Sequence, residues 1–220
     1  MEENKIKLRN TRGINLREQV WFRICPYYIN KVEDSLVGDV ERLSVLYSLL
    51  GHCLHIPGEV WECGVYKGGT AGMFAHLIKD VSPLTQLRLF DTFTGLPDAD
   101  LEKDEGSWIG LFNDTSAKVV GEKIHAILPS ALIYEGYIPD TFSTLEKSKI
   151  AFAHIDTDMY KSYIDCLNFI WPRMVTGGII VFDDYAYCPG AFKAVNEFFS
   201  DKEVKHTEIA ETIQAIVIKK

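Results

Sequence analysis

The run Ala151-Phe152-Ala153-His154-Ile155-Asp156-Thr157-Asp158-Met159-Tyr160 decides how the chain folds. An apolar stretch that ends abruptly in two carboxylates and then takes up helical spacing reads as a buried strand with charge at its C-terminal edge. A second stretch repeats the pattern, because Gly177-Gly178-Ile179-Ile180-Val181-Phe182 leads directly into Asp183-Asp184-Tyr185. In an open parallel sheet, ligands bind in the crevice beyond the carboxyl ends of the strands. Asp156, Asp158, Asp183 and Asp184 are therefore expected to converge there. Carboxylates crowded together repel one another unless protons or a cation intervene. Asp also caps helices, and capping would account for one such residue per strand end. Two pairs at equivalent places point instead to a cation.

Outward from this pair, strands and helices alternate. Apolar residues at Val40, Leu43, Leu46, Tyr47, Leu50 and Leu54 follow helical spacing. Glu59 to Gly64 reads as a strand, and Val65-Tyr66-Lys67-Gly68-Gly69-Thr70 as a glycine-bearing turn into a helix with Met73, Phe74, Leu77 and Ile78 on one face. Glycine is useful in such a βα turn because the backbone can approach a ligand closely, although a tight turn alone would also use it. The glycines match neither the dinucleotide fingerprint nor the phosphate loop, which disfavours a nucleotide-dependent dehydrogenase. With Glu62 just before it, the turn suits a cationic ligand.

Leu87 to Asp91 is the next strand. Asp91, at its end, lies 27 positions after Gly64, a spacing at which an acidic residue can accept from the hydroxyls of a ribose. Beyond Thr92 and Phe93 comes an acidic stretch with Asp98, Asp100, Glu102, Asp104 and Glu105. It reads as a long loop over the strand ends or as a solvated face. Thr115-Ser116 offers an N-cap for a helix carrying Val120, Ile124, Ile127 and Leu128, Ala131 to Gly136 is a third strand, and Pro172 ends the helix after Asp158. Pro189 starts a helix with Phe192, Val195, Phe198 and Phe199 expected inward, and Val204–Ile209 with Thr212–Ile218 forms a terminal hairpin. The alternation predicts an α/β fold: a doubly wound, mostly parallel seven-stranded sheet with one antiparallel strand near the C-terminus. Residues 1–37 form an arm or a lid ahead of a single domain over 38–220.

Composition narrows the function. The 220 residues include 47% hydrophobic ones, enough for a full core, and carry a net charge of -8. That acidity argues against nucleic acid or an anionic membrane as partner. Cys25, Cys53, Cys63, Cys166 and Cys188 are odd in number and lack C-x-x-C spacing, so reduced thiols and a cytoplasmic location are expected.

Four segments, Glu62 to Thr70, Phe90 to Pro97, His154 to Tyr160 and Gly177 to Tyr185, occur in the order that resembles the macrocin O-methyltransferase (TylF/MycF/NovP-like) family. The likeness continues through Pro189-Gly190-Ala191 and Ala194-Val195. The resemblance implies a class I methyltransferase of Rossmann-like fold. Its expected activity is S-adenosylmethionine-dependent, Mg²⁺-dependent methylation of a small-molecule hydroxyl, commonly on a sugar of a natural product, by a homodimer or larger assembly. It further implies that Asp156, Asp183 and Asp184 hold the metal and that Asp158 is the general base. Glu62, Gly64, Tyr66, Gly68, Gly69, Thr70, Asp91, Thr92, Phe93, Gly136, Tyr137 and Asp156 would surround the cofactor. A non-catalytic binding or assembly protein on the same fold is the alternative.

The residue chemistry agrees. Mg²⁺ takes hard oxygen ligands and leaves positions for water or substrate oxygen, and a sugar hydroxyl is so weak an acid that a carboxylate must also take its proton. Asp158 fits if strand parity holds, because residues two apart on a strand share a face. His154 shares that parity and is either a hydrogen-bonded core residue or the base itself.

Overall fold

The computed structural model describes residues 40–97, 103–104 and 109–220. The N-terminal arm or lid of 1–37 and most of the acidic loop lie outside the described residues. From the first described residue the chain forms helix α1 (Val40–Cys53), strand β1 (Glu59–Cys63), α2 (Gly69–Val81), β2 (Leu87–Asp91), α3 (Ala117–His125), β3 (Leu132–Glu135), β4 (Ile150–Ile155), α4 (Tyr160–Ile170), β5 (Met174–Phe182), α5 (Pro189–Phe199), β6 (Thr207–Glu208) and β7 (Ala215–Ile218). The sheet order is β3-β2-β1-β4-β5-β7-β6. Strands β1 to β5 pair in parallel, and β7 runs antiparallel to both β5 and β6. The expected doubly wound sheet with one reversed strand is what the chain forms.

Strand β4 lies at the centre, and all six of its residues are buried. Alternation sorts its neighbours onto two faces. Phe152, with Val60, Leu87, Leu89, Ile179 and Val181, packs against α1, α2 and α3. Ala153 and Ile155, with Trp61, Cys63, Phe90, Ile180 and Phe182, pack against α4 and α5. Each fully buried Phe or Leu contributes about 1.5–3 kcal/mol, so both faces of the central strands are committed, and the cavity described below lies beyond their carboxyl ends.

Local chemistry sets the boundaries. The Ser116 hydroxyl accepts from Val119 N–H and caps α3. Helix α4 ends where expected, passing into a short 3₁₀ turn at Trp171–Arg173 that contains Pro172. Several details differ from expectation, among them the terminal hairpin, whose strands are Thr207–Glu208 and Ala215–Ile218 rather than Val204–Ile209 and Thr212–Ile218. Strand β5 starts at Met174 rather than Gly177, because Met174 is still in register with Ile150 of β4. Helix α3 ends at His125, and Ile127 and Leu128 reach the core from the turn beyond it. Phe192 is 48% exposed. The buried stripe of α5 is Ala191, Ala194, Val195 and Phe199, and Phe192 stands beside it against the Tyr185 ring. Cys53, Cys63, Cys166 and Cys188 are free and buried, in keeping with reduced thiols.

Candidate active site

The order reverses between β1 and β4, the switch point at which open α/β sheets bind ligands. A cavity of about 970 Å³ opens there, beyond the carboxyl ends of the strands. Glu62, Gly64, Tyr66, Gly69, Thr70, Asp91, Thr92, Gly136, Tyr137, Asp156, Asp158, Asp183 and Asp184 all border it. Gly68 and Phe93 were expected beside a cofactor but stand behind the wall. Gly68 takes a left-handed turn (φ +79°) where a Cβ would press on Val120, and Phe93 is packed in the core.

At the β1 end the backbone has no room for side chains. Gly64 has φ +88°, and a Cβ there would lie 1.8 Å from the Asp156 carbonyl oxygen. Asp91 fastens the turn that follows. Its Oδ2 accepts from Val65 N–H at 2.7 Å and Tyr66 N–H at 2.8 Å, and its Oδ1 accepts from Phe93 N–H at 2.7 Å. These bonds hold Tyr66 and Phe93 at positive φ. They also amend the ribose expectation: each carboxylate oxygen has two lone pairs, so Oδ2 is filled and only Oδ1 keeps one for a ligand. Glu62 is buried, and its Oε2 has no hydrogen-bond partner. Burial raises its pKa against the opposing pull of His154.

At the β4–β5 end carboxylates outnumber donors. Burial, then the charges of Asp183, Asp184 and Asp158, push Asp156 well above the ordinary carboxylate range. Burial and Asp184 do the same to Asp158, and burial and Asp183 raise Asp184. Asp183 alone is lowered: burial would raise it, but His154, Arg42 and Gln214 outweigh that. Arg42 Nη1 lies 2.6 Å from Asp183 Oδ2 and 3.4 Å from Asp184 Oδ1, and Gln214 Nε2 donates to Asp183 Oδ1 at 2.5 Å. The Cys188 thiol donates to Asp158 Oδ1 at 3.5 Å.

Asp158 joins the cluster by a different route from the one expected. Strand β4 ends at Ile155, and Asp158 stands in a left-handed conformation (φ +57°) one residue before the N-cap of α4. Strand parity therefore does not bring it to the crevice; a turn does. His154 is fully buried and does not border the cavity, the placement of a hydrogen-bonded core residue. Burial would lower its pKa, but Asp183 and Glu62 prevail and raise it to about 9.

Arg42 and Gln214 were not singled out from sequence. They reach Asp183 across 141 and 31 residues respectively, and no local motif marks either.

The donor set suits a hard divalent ion. Asp156 and Asp183 with His154, and Asp158 and Asp184 with Cys188, form two groups whose ligand atoms lie within 4.8 Å of one another, and their carboxylate oxygens are the ligand chemistry that Mg²⁺ takes. Asp183 would coordinate through a remaining lone pair, since both its oxygens already face N–H donors. The orphaned Oε2 of Glu62 and the glycine-walled turn fit a ligand with an ammonium group.

A doubly wound seven-stranded sheet with a reversed β7, and a glycine turn facing an acidic edge across its switch point, define a class I methyltransferase fold. A profile of the macrocin O-methyltransferase (TylF) family matches residues 31–218, and the chain belongs to that family. It is 28% identical over 155 residues to the demethyldecarbamoylnovobiocin O-methyltransferase of Streptomyces niveus, a match covering 66% of this chain and 59% of that protein. It is 29% identical over 182 residues to the mycinamicin III 3''-O-methyltransferase of Micromonospora griseorubida, covering 76% and 70%. Among solved structures it resembles the O-methyltransferase NovP (TM-score 0.73, 22% identity, 84% of this chain and 82% of that one). It also resembles the calicheamicin methyltransferase CalS11 (TM-score 0.71, 19% identity, 99% and 98%). No helix among the described residues is long and apolar enough to cross a membrane.

Proposed function

We propose that the chain transfers a methyl group from S-adenosylmethionine to a hydroxyl of a small molecule, a sugar or glycosylated natural product, with Mg²⁺ at the acidic edge. One observation carries the reading. A single cavity has the unpaired Glu62 oxygen at one end and the mutually repelling Asp156, Asp158 and Asp184 at the other. The names of the relatives support the acceptor class, since they describe O-methylation of novobiocin-type and mycinamicin compounds.

When bound, the donor supplies a methyl group on a positively charged sulfur. Bound Mg²⁺, held by Asp156, Asp183 and Asp184, supplies Lewis acidity toward the acceptor hydroxyl. Glu62 pairs with the donor's ammonium group through Oε2. Gly64 and Gly69 let the backbone approach the donor, while Tyr66, Thr70, Asp91, Thr92, Gly136 and Tyr137 flank it. Asp158, which borders the cavity beside Asp184, takes the proton that the acceptor gives up. Alignment of acceptor oxygen and methyl group is the remaining requirement, and orientation supplies much of such a rate. The chain acts in the cytoplasm as a homodimer or larger assembly, without nucleic acid or membrane as partner; its acidity supports the exclusion of those two partners.

Release of S-adenosylhomocysteine by the purified chain, assayed over a panel of glycosides, tests this. Turnover is expected to stop with a chelator and return with Mg²⁺. Full turnover in chelator would remove the metal from the account. Failure to bind S-adenosylmethionine at all would leave the binding-protein alternative.

A further inference from the structure

His154 has no task in the chemistry above, yet it joins the two ends of the site. Its Nδ1 hydrogen-bonds Glu62 Oε1 at 3.2 Å, and its Nε2, which has no hydrogen-bond partner, lies 3.3 Å from Asp183 Oδ1 as an ion-pair contact. Strand pairing fixes the ring there, because Glu62 of β1, His154 of β4 and Val181 of β5 are register partners across the centre of the sheet. Phe74 of α2 packs against the imidazole nearly at right angles, with ring centroids 5.9 Å apart. Glu62 and Asp183 both border the cavity, whereas the ring between them does not.

We propose that His154 is a positioning residue that couples cofactor binding to divalent-ion binding, each tightening the other through the Glu62–His154–Asp183 contact. The inference rests on the function proposed above. Neither carboxylate moves toward a ligand independently, since Glu62 would give up its hydrogen bond to Nδ1 and Asp183 would leave the buried Nε2 without its charge contact, both costly in a dry interior. The ligand that binds first fixes its carboxylate, hence the ring, hence the opposite carboxylate. The second ligand then finds that ordering already done, which is a source of positive cooperativity. Linkage requires the factor to be the same in both directions.

Calorimetric titration of the full chain with S-adenosylhomocysteine, with and without saturating Mg²⁺, measures one direction. Titration with Mn²⁺ followed by electron paramagnetic resonance, with and without S-adenosylhomocysteine, measures the other. The expected result is a tightening of about fivefold or more, equal in both directions. His154→Phe keeps the ring packing and loses both polar contacts. His154→Asn keeps a donor toward Glu62 but is too short to reach Asp183. Both variants are expected to bind each ligand singly while the factor falls to about one. Wild-type ligands that bind independently, or a factor that survives in both variants, would overturn the proposal. Should the phenyl variant fail to fold, the asparagine variant decides alone. Failure of the wild type to bind either ligand would instead count against the proposed function.

Discussion

The two ends of the cavity treat carboxylates in opposite ways. At the β1–β2 end, Asp91 meets three backbone N–H groups at 2.7–2.8 Å and so finishes a turn. At the β4–β5 end, Asp156, Asp158 and Asp184 face one another with too few donors, and all three are held above the ordinary carboxylate range. Asp183 is held below that range, its burial outweighed by His154, Arg42 and Gln214. The same side chain thus finishes a turn where backbone N–H groups surround it, and is held toward its protonated form where other carboxylates do.

Substitutions at the two ends should therefore diverge. Asp158→Asn is expected to have the largest effect, lowering turnover about a thousandfold as removal of a general base does, with cofactor affinity by calorimetry unchanged. Asp91→Asn should cost about 2–3 kcal/mol in a urea titration, because an amide nitrogen cannot accept the bonds that one of the carboxylate oxygens now takes. Asp184→Asn should do the reverse. In chelator it is expected to stabilise the chain by about 1 kcal/mol, the usual sign when a charge kept for function is removed. A loss of stability in both variants, of similar size, would break the comparison.

The smallest effect is expected at the far edge of β1. Glu59 is held below its ordinary pKa: burial would raise it, but Arg88 and Trp61 hydrogen bonds outweigh that. A lowered carboxylate contributes stability that is present above the unfolded pKa and is lost as pH falls through the folded one. The melting-temperature gap between wild type and Glu59→Gln should accordingly be open at neutral pH and close on acidification below the ordinary glutamate value of 4.5.

The fold was legible because its evidence is local. Two apolar runs ending in Asp pairs, a glycine turn after a strand, and helices with one apolar face each appear within a few residues of sequence. The acidic end of the site was legible for the same reason, since strand ends bring Asp156, Asp183 and Asp184 together without help from distant segments. What was not legible depends on distance or on single backbone angles. Arg42 reaches Asp183 from a helix 141 residues earlier. Asp158 arrives through a left-handed turn that strand parity does not anticipate. Asp91 sits at a spacing that suits a ribose, but spacing does not reveal that neighbouring N–H groups already claim most of its lone pairs. Phe192 satisfies helical periodicity loosely and lies one step off the buried stripe of α5.

The central claim is that the β4–β5 edge seats a divalent ion next to the methyl donor. Carbon-13 resonance of methyl-labelled S-adenosylmethionine bound to the chain, recorded as Mn²⁺ is added, tests it most directly. The account predicts strong paramagnetic broadening of the methyl signal at one ion per chain, abolished in Asp184→Asn while the donor stays bound. A methyl signal that stays sharp at saturating Mn²⁺, or that broadens equally in the variant, would contradict it.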